Sequence, residues 1–191
     1  VSDANITDWK NQAEAGGVTS GNINGCTMTL GPRKIDGNLT VGNECTVTIK
    51  APLWVTGNIS AGNSTIFVLD SSYGATSGVI VVDGVTNLGN GADLRGSGTA
   101  GSYLMLLSTY DSSQSGNDAI ETGNSSISGI VYAPKGAVEL ANGASFKEIT
   151  AWKIELGNNA VLTYDSGLAS TVFSAGPAGS FSLIKGTYQV K

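Results

Sequence analysis

Cys26-Thr-Met-Thr-Leu30 and Cys45-Thr-Val-Thr-Ile49 are one five-residue phrase written twice, and Thr65-Ile-Phe-Val-Leu69 continues it. Aligned, Cys26 falls on Cys45 and Thr65, Met28 on Val47 and Phe67, and Leu30 on Ile49 and Leu69. Apolar residues at alternate positions mark strands with one buried face. Short strands recurring at a near-constant step point to a parallel β-solenoid, in which like residues stack from coil to coil. The expected fold is all-β: a single-stranded parallel β-helix with a short N-terminal capping helix, one domain over residues 1–191.

Working outward, Gly42-Asn43 and Gly62-Asn63 stand just before two of these strands, and Gly21-Asn22, Gly37-Asn38 and Gly57-Asn58 precede others. Gly and Asn both tolerate left-handed backbone, and Asn side chains can stack along a corner. Gly78-Val-Ile-Val-Val-Asp83 and Tyr103-Leu-Met-Leu-Leu107 read as further rungs. Near the C-terminus Val138-Glu-Leu-Ala-Asn-Gly-Ala144 matches Ile154-Glu-Leu-Gly-Asn-Asn-Ala160 at a step of sixteen, with Phe146 opposite Leu162. Rungs are therefore expected over 21–107 and 129–166, at steps of sixteen to twenty. Residues 108–128, polar and Gly/Ser-rich, read as a loop excursion. Residues 165–180 read as a second connection, and 181–190 as C-terminal strands that cover the last rung or run back along the solenoid. Residues 3–15 read as a helix with Ile6, Trp9 and Ala13 on one face, Thr7 as N-cap and Gly16-Gly17 as its stop. Its expected place is over the first rung, whose edge would otherwise be bare.

Composition narrows the function. The 191 residues carry a formal charge of -5, with 27 Gly and only 13% charged residues. The ten Lys and Arg are scattered, with no run longer than Arg33-Lys34, so no basic stripe for nucleic acid is present. No stretch approaches the length of a membrane span, and membrane contact is expected only through a segment upstream of Val1. The chain has no His, which removes Cys-His and Ser-His-Asp catalysis and imidazole zinc sites. The balance is against an enzyme; no catalytic residue and no cofactor is expected.

The candidate residues are few. Cys26 and Cys45 fall on adjacent parallel strands about 4.8 Å apart, a Cα spacing that a disulfide accepts. They form either a structural disulfide or a buried thiol pair. Glu139 and Glu155 stack outward on matched rungs beside Lys135, Lys147 and Lys153, as a surface ladder or a pair able to hold a cation. Asp111, Asp118 and Glu121 are calcium candidates in the long loop. Asp70 and Asp83 end apolar strands, as corner residues accepting backbone N–H bonds would. Trp54, Tyr110 and Trp152 are the candidate glycan contacts, provided they share a face.

Gly129-Ile-Val-Tyr-Ala-Pro-Lys-Gly136, Val138–Ala144 and Ile154-Glu-Leu-Gly-Asn-Asn-Ala-Val-Leu-Thr-Tyr-Asp165 resemble the β-helical ectodomains of bacterial surface proteins with pilus-assembly (PilX-like) N-termini. The likeness covers 129–166 and extends back to Pro52, and there is a distant likeness to bactofilin-type β-helices. The resemblance implies export, a pilin-like helix upstream of this sequence, and an extracellular or cell-surface location. It implies partners among cell-surface glycans or other surface and pilus proteins, and carries no catalytic residues. The function expected is a non-enzymatic structural or adhesive domain. The alternatives are a polysaccharide-active or glycan-binding β-helix and a self-assembling filament subunit.

Overall fold

Met28 pairs with Val47 and Val47 with Phe67, Leu30 with Ile49 and Ile49 with Leu69, all in parallel. The three opening phrases are thus neighbouring strands in the expected register. The computed structural model describes residues 1–163 and Phe173. Within them, seventeen strands form one parallel sheet wound into a three-sided solenoid, so the β-helix is as expected. The segment 181–190 and residues 164–166 of the last expected rungs lie outside the described residues.

Three faces repeat up the solenoid. Face A holds β1 (Val18–Ser20), β4 (Arg33–Asp36), β7 (Leu53–Val55), β10 (Gly78–Val82) and β13 (Leu104–Ser108). It ends in 130–133 of β15 (Ile127–Leu140) and 148–151 of β16 (Ser145–Leu156). Face B holds β2 (Ile23–Gly25), β5 (Leu39–Val41), β8 (Ile59–Ala61), β11 (Thr86–Leu88) and β14 (Ile120–Thr122). It closes with 138–140 and 154–156. Face C holds β3 (Met28–Leu30), β6 (Thr46–Ile49), β9 (Ile66–Leu69) and β12 (Asp93–Arg95). Above them come the opening residues of β15 and β16 and then β17 (Val161–Leu162). The shared interior is apolar: Ile35, Val47, Leu53, Phe67, Ile80, Leu106, Ile120, Val138 and Phe146 are all fully buried.

One corner is built six times. Asn43, Asn63, Asn90, Asn124, Asn142 and Asn158 form a ladder in which each backbone N–H donates to Oδ1 of the Asn one coil earlier, at 2.8–3.2 Å. Asn22, Asn38 and Asn58 make a shorter ladder that ends on the N–H of Val85. After each long-ladder Asn the chain turns through left-handed backbone, at Glu44, Ser64, Gly91, Ser125, Gly143 and Asn159, with φ between 56° and 69°. A small residue then enters the core: Cys45, Thr65, Ala92, Ser126 and Ala144 are buried. Close stacking explains the Gly before Asn63, since a Cβ on Gly62 would lie 2.5 Å from Asn43 Oδ1, whereas Ala141 stands at that place before Asn142. The Asn corner, legible in the sequence at Asn43, Asn63 and the two matched C-terminal rungs, is also built at Asn90 and Asn124, which join these sites into one ladder.

The step between coils exceeds the expected range, from sixteen residues (Val18 to Lys34) to thirty-four (Thr86 to Ile120). Insertions at corners cause this. One carries the 3₁₀ turn Ser71–Tyr73, one spans 96–103, and one carries the short helix Ser112–Ser115. The excursion expected over 108–128 is correspondingly shorter. Ser108 still belongs to β13, and β14 and the opening of β15 return 120–122 and 127–128 to the sheet. The rungs also begin earlier than residue 21, at β1.

Helix α1 (Asp3–Ala15) has the expected bounds and face, with Ala13 buried and Ile6 and Trp9 packed on the sheet. Its N-cap is Ser2, in a reciprocal capping box with Asn5. Thr7 lies inside the helix, where its hydroxyl donates to Asp3 O at 2.9 Å, so its expected role as cap is corrected. The helix does not cap the first rung either. It lies lengthwise across face A, from Glu14 paired with Lys34 at 3.0 Å to Tyr132 Oη donating to Val1 O at 3.0 Å. Thirteen residues of helix span about 20 Å, close to the roughly 19 Å of four coil spacings. The physical cause is a second apolar layer outside face A: Val79, Val81, Met105, Leu107 and Ile130 are buried beneath α1 and Phe173. Among the described residues nothing covers the edge of the first coil, where Val18 is 53% exposed.

Candidate functional site

Cys26 and Cys45 form a disulfide with a Cα separation of 4.8 Å, tying the first coil to the second. Of the two readings left open by the sequence, the structure takes the bond. Cys45 is buried at the Asn corner while Cys26 is exposed, because nothing among the described residues covers the first coil.

The three aromatic candidates are not brought together. Trp54 points outward from face A but lies under α1. The Lys34 and Lys10 ammonium groups sit 4.4 and 5.1 Å from its ring centre, and its Nε1–H donates to Asp83 at 2.8 Å. Asp83 also accepts from Lys10 Nζ at 2.5 Å and Thr109 Oγ1 at 2.6 Å. Asp83 is therefore the hub that fastens the helix, not the backbone-capping corner residue expected. Asp70 does have that corner role, accepting from Ser72 Oγ–H at 2.5 Å and Ser72 N–H at 3.0 Å, and these bonds, the side-chain one foremost, hold its carboxyl below the usual range. Tyr110 packs against the solenoid interior. Trp152 is 58% exposed, at the junction past the face A residues 148–151, four coils from Trp54 and about 19 Å from it along the axis.

The carboxylates are brought together more closely than expected. Glu121, Glu139 and Glu155 are stacked in register on the outside of face B. Asp118 projects from the end of the insertion that carries the short helix Ser112–Ser115, beside them, and the carboxylate oxygens of Asp118, Glu121 and Glu139 all lie within 4.8 Å of one another. Partial burial, then the charges of Asp118 and Glu139, raise the Glu121 pKa above the ordinary carboxylate value. Glu155 is diverted to Lys153, whose pKa is raised by that hydrogen bond. Asp111 is elsewhere: it caps the short helix by accepting from Ser113 N–H at 3.0 Å. Chemically the group offers three hard oxygen ligands on an exposed face, against the six to eight that calcium takes. Glu139 was legible from its stacking on Glu155. Its junction with Asp118 was hidden by the insertion that brings Asp118 back to the sheet.

No described helix is long and apolar enough to cross a membrane. The chain matches the family described as a domain of unknown function, DUF7305, over residues 2–171. No curated protein and no solved structure matches it.

Proposed function

The chain belongs to the DUF7305 family, and we propose that it acts as a non-enzymatic extracellular structural or adhesive domain of a bacterial surface or pilus-associated protein. The observation that carries this reading is the Cys26–Cys45 disulfide, because such bonds persist in oxidising compartments and are rare in the cytosol. The architecture supports it. Every interior coil is hydrogen-bonded above and below, two Asn ladders stiffen the corners, and a helix braces one side. The result is a stiff shaft, suited to holding a surface at a distance. The test is made in cells that produce the protein. Thiols are trapped by acid quenching and alkylation, and an antibody to the folded domain is applied to intact cells. The expected result is oxidised Cys26 and Cys45 in antibody-accessible protein. Reduced thiols in protein that the antibody reaches only after lysis would overturn the proposal.

A further inference from the structure

Face C carries an open groove of about 840 Å³ beneath the loop 96–103. Its wall is fixed. Ser97 Oγ donates to the Gly74 carbonyl, Ser102 Oγ to Thr76 O at 2.7 Å, and Ser97 N–H to Ser102 Oγ at 2.9 Å. Behind it Tyr103 N–H donates to Ser77 Oγ at 2.9 Å. The floor is the outward surface of the sheet. Val68 pairs with Arg95, and Asp93 with Ile127, which is 54% exposed. Two positions beyond the Asp93–Ile127 and Ile127–Ser145 pairs, the register places Gly129 between Arg95 and Lys147. The floor therefore lacks a side chain between two cations.

Each part of the lining has a partner in one ligand chemistry. Arg95 is bound through Nε to Asp93, leaving its two terminal nitrogens without a partner among the described residues. Such a fork recognises carboxylates. Asp93 accepts from hydroxyls, and Val68 and Ile127 suit the C–H face of a sugar ring. A carboxylate on the ligand meets the terminal nitrogens of Arg95 in a chain of formal charge -5, a charge-assisted contact that weakens with salt. An extended peptide would need a strand edge to pair with. β12 already has β9 on one side and β15 on the other.

We propose that this groove binds a stretch of acidic polysaccharide, with Arg95 holding a uronate carboxylate over the floor formed by Val68, Ile127 and Gly129. The inference deepens the adhesive half of the proposed function and rests on it for the choice of a cell-surface ligand. The test is calorimetric titration of the whole chain with a hexameric oligogalacturonate, beside maltohexaose and hexaglutamate. Binding is expected for the uronate alone, weakening with salt. It should fall about tenfold in Arg95→Ala, the loss of one charge-assisted contact, and fall also in Ile127→Asp. It should be unchanged in Lys135→Ala, on another face. No uronate binding at millimolar concentration, equal binding of either control ligand, or an Arg95→Ala protein that binds as well as the parent would overturn it. The cellular thiol and antibody test reads independently of these outcomes, so the groove can fail while the surface assignment stands.

Discussion

Faces A and B are built on the same coils, yet their outer surfaces differ completely. Inside, both present apolar columns, Ile80 and Leu106 on one and Ile59, Ile120 and Val138 on the other. Outside, face A presents Val79, Val81, Met105, Leu107 and Ile130, all buried. Face B presents Asn24, Thr40, Ser60, Asn87, Glu121, Glu139 and Glu155 in register. The strands record this. Ile59-Ser-Ala61 and Ile120-Glu-Thr122 alternate, whereas Gly78-Val-Ile-Val-Val82 and Leu104-Met-Leu-Leu107 are unbroken apolar runs. An inward column specifies the coil, and an outward column specifies what covers it.

Neighbouring residues on face A give the largest test of that distinction. Leu106 faces the solenoid interior and Leu107 faces α1, and both are buried. Leu106→Ala and Leu107→Ala should each cost about 2–5 kcal/mol in urea unfolding, while Glu139→Ala on face B should stay within about 0.5 kcal/mol. A Leu107→Ala protein as stable as Glu139→Ala would show that the helix and the second apolar layer contribute nothing to the fold.

The same distinction explains what could be read in the sequence. Where strands alternate and coils step evenly, as from Cys26 to Leu69, stacking and disulfide geometry followed directly from the register. Where β12 contributes only Asp93-Leu-Arg95 and β14 only Ile120-Glu-Thr122, each strand has one or two inward residues, too few to show a period. Insertions of variable length then move the next Asn corner out of step, so Gly89-Asn-Gly-Ala92 and Gly123-Asn-Ser-Ser126 passed for ordinary turns. The apolar stripe of α1 was visible, but its destination was not, because an open end and an apolar flank make the same demand on a helix. The runs at 78–82 and 104–107 held the missing signal. Trp54 was a candidate contact only if it shared a face with Tyr110 and Trp152, and nothing local to it discloses Lys10 and Asp83 closing over it.

The corners test a smaller contribution. Asn63 Oδ1 accepts from Asn90 N–H at 2.9 Å, one link in the long ladder. Asn63→Ala should cost about 0.5–1.5 kcal/mol, the net worth of one such hydrogen bond. The Asn90 amide should exchange with solvent faster while amides in the middle of face A do not. If protection is lost throughout the solenoid, the corner is not a local device and the division between corners and faces breaks down.

The smallest effect lies on face B and has a definite sign. Burial first, and then Asp118 and Glu139, place the folded pKa of Glu121 above its unfolded value. The folded state therefore holds the Glu121 proton more tightly. The associated stability is fully present below the unfolded pKa and is lost as pH rises through the raised folded one. At neutral pH the ionised side chain is a mild liability, so Glu121→Gln should stabilise the protein. The gain should be roughly a few tenths of a kcal/mol, because an exposed carboxylate is well screened. Urea midpoints measured on descending pH should show the two proteins converging once the parent Glu121 is protonated. A parent more stable than Glu121→Gln at pH 7 would reverse the sign, and only a partner for the carboxylate produces that reversal. If chelator then equalised the two, the acidic stack would be engaged by a divalent cation rather than left as a bare ladder on an uncovered face.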